Sequence, residues 1–166
     1  SDYTQPWQFW NGTGWSATSA DSARLVSGVG TSVGVQRAGT GWVLVTQQSN
    51  LIFSPDIVGY PMSSPTGPFA SPEVLYTAPE TQTTGVIAYD AHVHPHAATA
   101  NKILFSYNVN SLLPEANLQD ARIYRPRFVE ATWPIVSPDP SLVPATPGAP
   151  ALVDRNDGTA TLSWAA

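Results

Sequence analysis

Cysteine is absent from this chain of 166 residues, which excludes a disulfide frame, a thiolate nucleophile and cysteine-ligated zinc. Lysine occurs once, as Lys102, and 7 basic residues face 12 acidic ones for a formal charge of −5. With no basic stripe to neutralise phosphates, no nucleic-acid partner is expected. No apolar run approaches the roughly 18 residues of a membrane helix, so no membrane partner is expected either. The opening Ser1-Asp2-Tyr3-Thr4-Gln5-Pro6 has neither a basic n-region nor an apolar h-region, so any secretion signal is expected to be gone or to lie upstream. Only 11% of the residues are charged, against about 25% in an average soluble domain. Also lacking is any stretch of a dozen residues with an uninterrupted helical apolar period.

What the chain has instead is 16 prolines, 16 serines, 16 threonines and 42% apolar residues. Several segments alternate with a period of two between turn residues, which predicts a nearly all-β fold. The clearest is Ser32 to Arg37, the turn Ala38-Gly39-Thr40-Gly41, then Trp42 to Gln47. Two β-branched stretches around a Gly-rich tetrapeptide make a hairpin, because glycine accepts the positive φ that a tight turn needs. Ile57 to Met62 reads as an outer strand, since Pro61 has no ladder donor. Glu73 to Thr77 completes a four-stranded meander.

The pattern then restarts with strands at Tyr89 to His94, Lys102 to Asn110 and Ile123 to Thr132. Ahead of the complete unit, Trp7 to Trp10, Trp15 and Arg24 to Val26 read as the tail of an earlier one, and Gly-Thr-Gly-Trp recurs at Gly12–Trp15 and Gly39–Trp42. Repeated meanders with a Gly/Trp cue point to a β-propeller of about two and a half four-stranded blades, spanning residues 1–133, with an ordinary sandwich as the alternative. The tryptophans beside the turns are expected to pack between blades. Residues 134–146 form a Pro-rich linker. In 147–166, Pro147-Gly148-Ala149-Pro150-Ala151-Leu152 and Thr159 to Trp164 resemble the first two strands of a fibronectin type III domain, with Trp164 at that family's core position.

From Trp7 to Trp133 the chain resembles secreted bacterial five-bladed β-propellers, distantly similar to propeller glycosidases of the arabinanase and β-xylosidase type. The likeness rests on Trp7-Gln8-Phe9-Trp10-Asn11-Gly12 with Trp15, Trp42 to Gln47, Ser63 to Phe69, Tyr76 to Glu80, Ala91 to His96, Ser106 to Asn110 and Tyr124 to Phe128. It implies a secreted protein, carbohydrate as ligand or substrate, and an N-terminal half of the propeller, or a second copy, as partner. The Glu-Gly-Pro acid motif of those glycosidases is absent, so hydrolysis by this stretch alone is not expected.

Asp90, His92, His94 and His96 share parity, which on a regular strand puts them on one face. All three histidines of the chain lie there. Asp90, His92 and His94 are therefore the expected metal ligands, for a divalent cation such as calcium, and Asp90 is the one candidate catalytic carboxylate. His92 and His94 are also expected ligand-binding residues, together with Asn108 and Asn110, which share a strand face with Ser106. Arg125 and Arg127 flank Pro126 on one side of an extended segment and join that set; Glu130, Asp120 or an acidic ligand would be their partners. Two functions follow: carbohydrate processing or binding at a central channel, or a non-enzymatic extracellular scaffold in which these polar groups only satisfy one another.

Overall fold

The computed structural model describes residues 4–49, 51–98, 101–133, 151–154 and 160–163, which fall into two units, Ser1–Ile135 and Val136–Ala166. The first unit begins with a short hairpin of β1 (Phe9–Trp10) and β2 (Trp15–Ser16). A four-stranded antiparallel sheet follows in the order β3 (Val29–Ala38), β4 (Gly41–Gln48), β5 (Asp56–Met62) and β6 (Glu73–Thr77). A three-stranded antiparallel sheet comes next, of β7 (Val86–Val93), β8 (Lys102–Ser111) and β9 (Pro126–Thr132). Apart from short 3-10 turns, the helical content of the described residues is one turn, α1 (Ala116–Gln119). The chain is all-β, as the alternating pattern predicts, and among the described residues no helix is long and apolar enough to cross a membrane.

The hairpin of β3 and β4 turns at Gly39, whose φ is +62°, and its register runs from Ala38 opposite Gly41 to Val33 opposite Thr46. Pro61 does not make β5 an outer strand, because β5 pairs with β4 along its length and with β6 from Asp56 to Gly59. The proline sits beyond the reach of β6, with Val43 of β4 opposite it on one side and, on the other, the Ala70 N–H donating to its carbonyl at 2.8 Å. Its missing N–H therefore costs the sheet no ladder bond on that side. Arg24 to Val26 forms no strand.

The two larger sheets share one core. Val43, Val45 and Ile57 from the first pack with Ala88, Ala91 and Val93 of β7 and with Ile103, Phe105, Tyr107 and Val109 of β8. Burial of each large apolar side chain contributes roughly 1.5–3 kcal/mol. Glycine lets the sheets approach: a Cβ at Gly34 of β3 would collide with Val93. Trp133, at the end of β9, is buried against Gly59 of β5, where a Cβ would lie 2.9 Å from the indole. The opposite face of the four-stranded sheet gathers Leu44, Val58, Tyr60 and Met62 with Val26, Val29, Trp42 and Phe69.

The tryptophans divide into two kinds. Trp42 belongs to that second cluster and carries the Arg37 guanidinium over its ring at 5.1 Å. Trp7 and Trp15 are instead 74% and 60% exposed, so the packing role expected of them is not met within this unit.

In the second unit, β10 (Ala151–Asp154) and β11 (Ala160–Ser163) form an antiparallel hairpin with Leu152 opposite Leu162. The Pro-rich stretch 134–146 and Trp164 lie outside the described residues.

Candidate functional site

The site is built on the outward face of the three-stranded sheet. On β8 the side chains alternate strictly: Ile103, Phe105, Tyr107 and Val109 are buried, while Ser106, Asn108 and Asn110 point the other way. Cross-strand pairing carries this polarity to β9, where Phe128 lies opposite Ser106 and Pro126 opposite Asn108.

On β7 the expected parity fails at Asp90. Tyr89 pairs with Asn108 and His92 with Ser106, so three steps on β7 match two on β8, and the extra residue makes a bulge. Asp90 sits in the left-handed region with φ +59°, which Asp tolerates better than most residues. The buried positions are then Ala88, Ala91 and Val93, and His92 and His94 share the outward face with Tyr89. Asp90 itself is turned into a tie between strands: its carboxylate accepts the Ser32 hydroxyl of β3 and, at 3.0 Å, the Asn108 amide.

Each expected residue therefore has a defined place. His94 Nε2 is 2.9 Å from Ser106 Oγ, and its ring packs on Phe128 at 5.4 Å. The three imidazoles stand edge to face in sequence, 6.0 Å from His92 to His94 and 6.1 Å from His94 to His96. Burial, followed by the neighbouring His92 and His96, lowers the His94 pKa from its ordinary value, so its neutral form is favoured. Among the described residues no group of three or more His, Asp or Glu side chains is placed to hold a metal ion.

Asn108 and Arg125 line a cleft of about 170 Å³ with Tyr89, Val109, Tyr124 and Pro126. Asn110, next on the same face of β8, does not line it; its side-chain oxygen accepts the Ser111 N–H at 2.8 Å and the Asn117 amide at 2.6 Å. Arg125 precedes β9 and donates to the Ala121 carbonyl at 3.1 Å. The exposed aromatics Tyr124 and Phe128 were not among the expected site residues. Their signal was the alternation of Tyr124, Pro126 and Phe128 along one side of an extended segment.

Arg127 does not join this face. It lies opposite Tyr107 on the buried side of the sheet and forms an internal ion pair with Glu80 at 2.9 Å, rather than with Glu130 or Asp120. Glu80 also accepts the Tyr107 hydroxyl at 2.8 Å. Burial pushes the Glu80 carboxyl up, but hydrogen bonds from its own backbone, Arg127 and Tyr107 outweigh that and hold it below its ordinary value.

Glu80 and Asp120 line one cleft of about 280 Å³ with Thr83, Arg122 and Arg127. Hydrolysis of a glycosidic bond needs one carboxyl with a raised pKa as proton donor. Neither of these serves, because Glu80 is held by Arg127 and the hydrogen bonds of Arg122 draw the Asp120 carboxyl down to about 2.

A family model for a domain of unknown function, DUF5005, matches residues 1–133. The chain belongs to the DUF5005 family. No curated protein matches this DUF5005 chain. Among solved structures it is similar to the crystal structure, at 2.80 Å, of a Bacteroides ovatus protein provisionally named a hydrolase, with a TM-score of 0.63 and 21% identity. The likeness covers 80% of the DUF5005 chain and 37% of the neighbour, so this chain spans well under half of that protein's length. At that identity what is shared is the fold.

Proposed function

We propose that this DUF5005 domain binds carbohydrate on the outward face of β7, β8 and β9, as part of a secreted, propeller-like protein. The observation that carries this reading is the composition of that face: a row of Ser106, Asn108 and Asn110, bordered by Tyr124 and Phe128, which are 64% and 63% exposed. Sugars present hydroxyls that donate and accept, and apolar C–H faces that stack on rings. Amides and hydroxyls answer the first need, exposed aromatics the second.

Recognition is favoured over catalysis because the carboxylates nearest these clefts are committed. Asp90 is taken by Ser32 and Asn108, Glu80 by Arg127 and Tyr107. The propeller reading draws support from the way β3 and β7, the first strands of successive sheets, meet through Gly34 and Val93. On the outer face of the four-stranded sheet Val33, Val35 and Val74 are 46%, 37% and 51% exposed. They suit coverage by further β-structure of the same protein, its N-terminal half.

A glycan array followed by calorimetry tests the proposal. Binding that falls about tenfold or more in Tyr124→Ala and Asn108→Ala, roughly the 1.4 kcal/mol that one such contact supplies, supports it. Binding unchanged in both variants, or no glycan bound by the wild type, favours the scaffold reading.

A further inference from the structure

The two arginines that flank Pro126 differ in what they hold. Arg127 is spent on Glu80. Arg125 donates its Nε to the Ala121 carbonyl at 3.1 Å, but among the described residues no carboxylate forms an ion pair with its guanidinium, and neither Nη group makes a hydrogen bond. The acidic residues open to it by sequence are taken: Glu130 by Lys102 at 3.3 Å, Asp120 by Arg122 at 2.8 Å. Arg125 is also held in place. Its backbone N–H donates to the Ile123 carbonyl at 3.1 Å, and the proline after it keeps its backbone extended. It lines the cleft of about 170 Å³ on the outward face of the three-stranded sheet, together with Tyr89, Asn108, Tyr124 and Pro126, and none of the lining residues is acidic. Asp90 stands behind Asn108 with its charge shared between that amide and the Ser32 hydroxyl.

We infer that the ligand of this face is an acidic carbohydrate, with the carboxylate of a uronic-acid residue seated on Arg125; this rests on the carbohydrate reading above. A guanidinium presents coplanar N–H donors that a carboxylate matches with both oxygens, whereas a neutral sugar has no use for the charge. One uncompensated cation balances the single charge of a uronate, not the nearly two charges of a phosphate monoester. The cleft is smaller than the roughly 300 Å³ at which sites begin to enclose a whole small molecule. It therefore takes the carboxylate edge of one sugar residue, while the rest of the chain runs along the face toward Phe128, the next outward residue of β9. Burial first, then the neighbouring Tyr124 and Asp90, push the Tyr89 hydroxyl up, so it stays a protonated donor beside the anion. The exposed ring of Tyr124 and the amide of Asn108 favour a sugar over an acidic peptide as the bearer of the carboxylate.

The test is calorimetric titration of the full chain of 166 residues with trigalacturonate, with the neutral galactose trisaccharide and with triglutamate. Trigalacturonate is expected to bind about fivefold or more tighter than the neutral trisaccharide at low salt, the scale of a well-formed bidentate charge pair. Raising the salt concentration should shrink that preference. Arg125→Gln should abolish the preference while leaving the affinity for the neutral trisaccharide in place. Arg125→Lys should keep only part of it, since an ammonium lacks the planar fork. Circular dichroism of both variants establishes that the fold persists. Equal affinity for the acidic and neutral sugars, a preference that survives Arg125→Gln, or tighter binding of triglutamate than of trigalacturonate would overturn the proposal. In each of those cases binding of the neutral trisaccharide shows that the carbohydrate reading still stands, whereas a wild type that binds neither sugar ends both.

Discussion

Ser32 of β3 donates its hydroxyl to the Asp90 carboxylate of β7, joining the first strands of two different sheets across 58 positions of sequence. Asp90 reaches it because the bulge and its positive φ rotate the side chain out of the regular alternation. Hydrogen bonds to a charged group contribute about 1.5–3 kcal/mol each. Ser32→Ala is therefore expected to lower unfolding stability by about 2 kcal/mol in urea denaturation. Asp90→Val should cost more, since it removes two such bonds and places a β-branched residue at φ +59°. Asp90→Asn should fall between wild type and Asp90→Val. If Asp90→Val is as stable as wild type, the carboxylate does not tie the sheets.

Glu80 supplies a pH dependence with a definite sign. Its folded pKa is held below the ordinary 4.5 by Arg127, Tyr107 and its backbone. A depressed carboxyl contributes stability that is fully present above its unfolded pKa and is lost as pH falls through the folded one. The denaturation midpoint should accordingly drop as pH is lowered below about 4.5, and Glu80→Gln should make that drop shallower. At neutral pH the same substitution should destabilise, because Arg127 loses its charged partner. An identical pH profile in wild type and Glu80→Gln would show that the pair carries no linkage.

Much of this architecture is legible in the sequence because the signals are local. The hairpin around Gly39 follows from a glycine turn between β-branched runs, and the strict alternation from Ile103 to Asn110 places Asn108 and Asn110 on one face without any coordinates. What is not legible depends on a single residue or on distance. One inserted position at Asp90 reverses the parity on which the Asp90, His92 and His94 grouping rested, and nothing in Tyr89-Asp90-Ala91 announces it. The Arg127 partner lies 47 residues away, in a turn after β6 that no strand pattern marks. Exposure of Trp7 and Trp15 likewise depends on what packs beside them, not on their place next to a turn.

The tight approach of the two large sheets at Gly34 yields a prediction that separates packing from backbone effects. Gly34 of β3 faces Val93 of β7, and a methyl group there has no room while the valine is present. Gly34 has no left-handed backbone requirement, its φ not being among the positive values, so alanine is conformationally allowed. Gly34→Ala alone should destabilise by about 1–3 kcal/mol, the usual cost of overpacking. Val93→Ala alone should also destabilise, through the small cavity it leaves in the shared core. In the double variant the new methyl occupies part of that cavity, so the loss should be smaller than the sum by roughly 1 kcal/mol or more, the scale of coupling between residues in contact. The measurement is a double-mutant cycle by urea denaturation. Strict additivity would mean that β3 and β7 do not meet at these residues, and the placement of the two sheets as neighbours through their first strands would fail with it.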